Sequence, residues 1–232
     1  MVQKKRGQVG PRFIMYILGL LIMSLGIVLL IKAALGATPW DVFHVGLFLQ
    51  LGLTIGSWSI IVGVFILLAA SIISKELPQI GALLNMLLVG VFIDLYLLLP
   101  VIKTPISFLG KTTMLVSGII LIGYGMGLYI SAGFGAGPRD SLMIALTSKT
   151  GWKIGHVRSI MEIIVLMIGW LLGGPVSIGT VIFTIVIGPI ASIAIPQCEK
   201  FTNTFLKRLK KRQKNLSLSK QHDKSINRGA NV

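Results

Sequence analysis

Two stretches of this chain carry the same special residues at the same spacing, and that duplication limits the fold more than any single segment does. At an offset of 99 residues Gly19 meets Gly118, Gly26 meets Gly125, Ile31 meets Ile130 and Ala33 meets Ala132. The register is sharpest just afterwards, where Gly36-Ala37-Thr38-Pro39-Trp40-Asp41 falls on Gly135-Ala136-Gly137-Pro138-Arg139-Asp140, a shared Gly-Ala-x-Pro-x-Asp. Further on, Ile55-Gly56 falls on Ile154-Gly155. After a one-residue deletion, Ile80-Gly81 and Gly90 fall on Ile178-Gly179 and Gly188. Glycine, proline and aspartate are not interchangeable with the aliphatics around them, so the coincidence reads as two copies of one unit.

The solvent for that unit is lipid. Hydrophobic residues make up 54% of the chain against 12% charged, with a mean hydropathy of +0.87, far too apolar for a water-soluble domain. The net charge of +15 sits at the ends. Lys4, Lys5, Arg6 and Arg12 open the chain, and residues 200–232 hold ten Lys or Arg against the single acid Asp223. Cytoplasmic segments of membrane proteins collect such charge, which places both termini in the cytoplasm and requires an even number of spans. Juxtamembrane basic clusters meet anionic lipid head groups, so lipid and not nucleic acid is the expected partner of the tail. Cys198 stands alone, which gives neither a disulfide nor a metal site. The basic start followed by an apolar run resembles a signal peptide, but that run is long enough to cross a bilayer and its pattern recurs mid-chain.

The chain therefore divides into a basic N-terminus (1–12), a first transmembrane repeat (13–100), a connecting loop (101–111), a second repeat (112–196) and a basic, partly disordered tail (197–232). Spans are expected over 13–33, 58–74 and 80–100, then 112–132, 157–173 and 178–196. A Pro-broken short segment follows the first span of each set. If those segments stay within one leaflet, the units have three spans each and are inverted; if they cross, there are four spans each and the units are parallel. Lys and Arg in the internal loops do not choose between the two topologies. After Pro138, however, Leu142 to Leu146 is the only continuous apolar run, bordered by Arg139, Asp140, Lys149 and Lys153, which suits lipid poorly. The expectation is an all-α integral membrane protein of about six transmembrane helices, as two inverted three-span repeats, each with a short or re-entrant helix.

The stretch Ala34 to Asp41, and Gly135 to Asp140 with downstream Arg158 and Glu162, resembles the YczE/YyaS/YitT family of bacterial membrane proteins. The resemblance covers residues 13–196. It implies a multi-pass protein of the bacterial cytoplasmic (inner) membrane, and it implies no particular substrate, because that family has no settled biochemical activity.

In Gly-Ala-x-Pro-x-Asp, Gly36 and Gly135 permit a sharp turn, Pro39 and Pro138 suit the first helical position, and Asp41 and Asp140 lie over a helix N-terminus. Two readings stay open. The acids cap two short helices, or the two helix starts meet at a cavity where their positive ends hold an anion or coordinate an ion. The residue before the acid differs between the copies. Arg139 could hold a carboxylate or phosphate where Trp40 could stack, or Arg139 could pair internally with Asp140 or Glu162 while Trp40 packs at the interface. Arg158 and Glu162 stand four apart and can pair with one another. Asp94 is an intramembrane acid with no adjacent cation, hence a pathway candidate, although it lies near its helix end. Asn85 is read as a hydrogen-bonding partner for another helix, and His44, three residues after Asp41, could relay protons, although a lone histidine on such a face is more often structural. No nucleophile and base set or metal-ligand spacing appears, so no enzyme activity and no cofactor are expected. The functional expectation is a small secondary transporter or exporter of a small solute, with Trp40, Asp41, Asp94, Arg139 and Asp140 near its pathway. The competing one is a non-catalytic accessory or scaffold docking a cytoplasmic protein partner through its tail.

Overall fold

The computed structural model describes the backbone of residues 8–135, 137–152 and 154–229, with side chains except at 154–155 and 211–229. Lys4, Lys5, Arg6, Ala136, Lys153 and the tail side chains beyond 210 lie outside the described residues. The described chain forms eight helices: α1 (Val9–Ala33), α2 (Pro39–Leu51), α3 (Ile55–Ser74), α4 (Ile80–Leu98), α5 (Phe108–Ala132), α6 (Pro138–Thr150), α7 (Ile154–Leu171) and α8 (Ile178–Gly229). Five are long and apolar enough to cross a membrane, namely α1, α3, α4, α5 and the Ile178–Lys210 part of α8. The fifth expected span, 157–173, corresponds to the 18-residue α7, which carries Arg158 and Glu162 in its first half. The two Pro-led helices, α2 and α6, have 13 residues each. At the α-helical rise they extend roughly 20 Å, short of a hydrocarbon core of roughly 30 Å.

The helix breaks follow from local chemistry. After α1, Ala34 takes the left-handed conformation and returns its N–H to Ile31 O; after α5, Gly133 does the same toward Ile130 O. Gly36 (φ 110°) and Gly135 (φ 133°) then redirect the chain in a region closed to most side chains. A Cβ on Gly36 would fall 2.6 Å from Thr180 Oγ1, and one on Gly135 would fall 2.5 Å from Gln79 Oε1. Proline follows at the start of each short helix, where a missing N–H costs nothing.

At the centre α1 and α5 cross antiparallel with their backbones in contact. A Cβ on Gly19 would lie 2.8 Å from Gly125 O, and one on Gly26 would lie 2.7 Å from Gly118 O. Small residues at these points let two apolar helices approach closely, the usual source of cohesion in lipid. The main core, including Tyr16, Leu20, Val28, Leu30, Ile93, Leu115 and Phe183, fills the space among α1, α4, α5 and α8. The short helices cross over: α2 packs against α7 and α6 against α3. Large apolar residues such as Phe65, Ile72, Ile163 and Ile185 remain exposed on the outer faces, as lipid-facing surfaces require. The tail continues α8 directly. Thr202 and Leu206 are buried against the body, with a 2.7 Å contact between the Thr202 and Ser131 hydroxyls, while Phe201 faces outward.

Candidate functional site

The starts of α2 and α6 converge on one cavity of about 140 Å³. Thr38, Pro39 and Trp40 form one side and Gly137, Pro138, Arg139 and Asp140 the other. Residues from the middle of α3 and α4, including Val62, Gly63, Asn85 and Met86, close it, together with Tyr129, Arg158 and Glu162. Five of the chain's nine methionines, Met23, Met86, Met126, Met143 and Met161, line it as well. Their unbranched thioethers give walls that adapt to an occupant.

The two helix starts are chemically different. In α2, Thr38 Oγ1 accepts from Asp41 N at 3.1 Å and donates to Asp41 Oδ2 at 2.5 Å, so this N-terminus is closed by its own residues. Asp41 is fully buried behind the cavity wall, with Oδ1 3.8 Å from His44 Nδ1; neither atom has a hydrogen bond among the described residues. In α6 the N-cap is Gly137, which offers no side chain to cover the first N–H groups of that helix. The Asn85 side chain sits against Gly137: a Cβ there would fall 3.1 Å from Asn85 Oδ1. Asn85 is 8% exposed and its Nδ2 has no partner among the described residues.

Arg139 is the cation of the site. Its guanidinium carbon lies 4.9 Å from the centroid of the Trp40 ring. Among the described residues it makes no hydrogen bond or ion pair. Among the described residues the adjacent Asp140 accepts one hydrogen bond, at 3.3 Å from Tyr129 Oη. Arg158 and Glu162 do pair with one another, at 3.2 Å across one helical turn.

Of the residues singled out in the sequence, Trp40, Arg139, Asp140, Arg158 and Glu162 thus share one cavity, and Asp41 stands directly behind it. Trp40 carries Arg139 on its face, an arrangement that treats the two helix starts as partners. Asp94 is elsewhere. Its carboxylate accepts from Gly56 N at 2.9 Å and from Thr54 Oγ1 at 2.5 Å, closing the N-terminus of α3. Tyr129 and the methionines carried no signal in the sequence, because aliphatic-rich spans contain both routinely. Asn85 was visible as a polar residue in an apolar span, but its place at the uncapped start of α6 was not.

A family model described as "Family of unknown function (DUF6198)" matches residues 10–196. The chain is 46% identical over 194 residues to the "Uncharacterized membrane protein YczE" of Bacillus subtilis (strain 168), an alignment covering 83% of this chain and 89% of the relative. It is 31% identical over 192 residues to the same organism's "Uncharacterized protein YyaS", covering 82% and 94%. An "Uncharacterized protein" of Haemophilus influenzae is 33% identical over 169 residues, covering 73% and 76%. No solved structure matches the chain.

Proposed function

Since this chain belongs to the family of unknown function DUF6198, whose Bacillus relative is itself a membrane protein, we propose from the site that it is a small secondary transporter or exporter, with the cavity between α2 and α6 as its solute site. The observation that carries this reading is Arg139, a cavity-lining guanidinium that makes no ion pair or hydrogen bond among the described residues although the Asp41, Glu162 and Asp140 carboxylates lie nearby, set at the N-terminus of a helix too short to span the membrane. Backbone N–H groups, the helix dipole and a five-donor cation then converge on one space, and all three favour a negatively charged group. The nearby acids offset part of the cost of burying that cation, and an anionic group in direct contact with it would offset more.

The antiparallel crossing of α1 and α5 supports inverted repeats. Gly19 faces Gly125 and Gly26 faces Gly118, and each pair exchanges under the offset of 99 that aligns the two units. Equivalent helices running in opposite directions are related by an axis lying in the membrane plane, the symmetry from which alternating access is built in several carriers. On this reading both termini are cytoplasmic, no reaction is catalysed, and the basic tail contacts anionic lipid.

The test is flux. Proteoliposomes holding the purified protein are screened with labelled anionic, zwitterionic and cationic small solutes. The expected result is saturable uptake of at least one solute class, lost in Arg139→Gln, which is compared with wild type by thermal unfolding to show that it folds. Uptake no greater than in empty vesicles for every class, or uptake indifferent to Arg139→Gln, overturns the reading. A protein partner captured through residues 211–232 in the absence of any flux would favour the scaffold.

A further inference from the structure

The cavity displays two opposite charges that form no direct ion pair with one another. Arg139 and Asp140 are neighbours in sequence, yet successive helical residues point about 100° apart, and no ion pair joins them. Arg158 and Glu162 line the same space but satisfy each other, so they add dipole and no net charge. The walls therefore present a cation without a contact ion pair and an acid held by Tyr129 Oη, and the remaining surface is rich in methionine with Val62, Ile66 and Val89.

We infer that the solute is a small zwitterion, its carboxylate held by Arg139 and the start of α6, its ammonium by Asp140, and a short apolar side chain lodged among the methionines. This identification of the solute class rests on the reading of the cavity as a solute site. A bare anion would satisfy Arg139 and leave Asp140 facing it across a low-dielectric space, with Asp41 behind the wall adding repulsion. A bare cation would leave Arg139 in the corresponding position. A molecule bearing both charges satisfies both groups and leaves the net charge of the site unchanged. The Asn85 amide, held at Gly137 with Nδ2 unpaired, lies where it can add a hydrogen bond to the carboxylate. A space of about 140 Å³ is on the scale of a short aliphatic amino acid.

The test uses three probes that differ by one charge each: valine, isovalerate without the ammonium, and isobutylamine without the carboxylate. Binding to detergent-solubilised Trp58→Phe/Trp152→Phe/Trp170→Phe protein is read from the fluorescence of Trp40, which lies in the cavity. Saturable quenching by valine is expected, with isovalerate and isobutylamine each at least about ten-fold weaker, as loss of one buried charge pair requires. Isovalerate binding as tightly as valine makes the site a plain anion site, and isobutylamine binding as tightly makes it a plain cation site. Either overturns the inference while leaving the transporter reading standing. Failure of valine, alanine and methionine alike to bind also overturns it. Valine that binds the protein but is not carried into proteoliposomes keeps the zwitterion site and removes the transporter.

Discussion

Residues with the same sequence appearance perform different work here because of what lies beside them. Asp41, Asp94 and Asp140 are all acids in an apolar chain. Asp41 is closed off by Thr38, Asp94 caps α3 through Gly56 N and Thr54 Oγ1, and Asp140 alone faces the cavity with little to hold it. Asp94→Ala should therefore act on stability and not on the site. Losing a helix cap costs about 1 kcal/mol, so the unfolding midpoint in detergent should fall while quenching of Trp40 by valine stays at its wild-type value. A change in ligand affinity at unchanged stability would return Asp94 to the solute pathway. Arg139 shows the complementary case, since it lines the cavity without an ion pair among the described residues.

At the scale of helices, the cohesion of the molecule depends on backbone approach between α1 and α5. A Cβ on Gly118 would fall 2.2 Å from Leu30 Cδ1 and 2.9 Å from Gly26 O, whereas a Cβ on Gly188 in α8 meets nothing within 4 Å. Gly118→Leu should push the two helices apart at a cost near the upper end of the ~1–3 kcal/mol typical of overpacking, and lower the yield of folded protein from membranes. Gly188→Ala should be tolerated in the same assay, since it adds a methyl group to open space and improves helix propensity. Equal yields for the two variants would show that the crossing does not hold the fold. The short helices depend on the same logic. Each is too short to cross alone and is stabilised by packing across the molecule, α2 on α7 and α6 on α3.

For the whole molecule the decisive quantity is topology. In a Cys198→Ser background, a cysteine replacing the exposed Thr104, between α4 and α5, should react with an impermeant thiol reagent added outside cells. Labelling confined to the cytoplasmic face would replace inverted three-span units with parallel four-span ones. The buried position of Cys198, 5% exposed, means that the background substitution removes little labelling of its own.

The sequence by itself determined the helical class, the membrane as solvent and the positions of the breaks. Apolar runs of bilayer length, and Gly and Pro at special backbone angles, are local properties that need no knowledge of neighbours. Expected spans such as 58–74 and 112–132 accordingly fall within α3 and α5, each helix starting a few residues earlier than the apolar run alone indicated. Only the tertiary structure decided which polar residues meet. Trp40 and Arg139, far apart in the chain, stack because α2 and α6 are held across the molecule by the other half, and Asp94 is drawn instead to the N-terminus of α3. A charge in an apolar span announces that it must be satisfied; whether a neighbouring N–H, a second side chain or a ligand satisfies it depends on contacts that sequence spacing cannot encode.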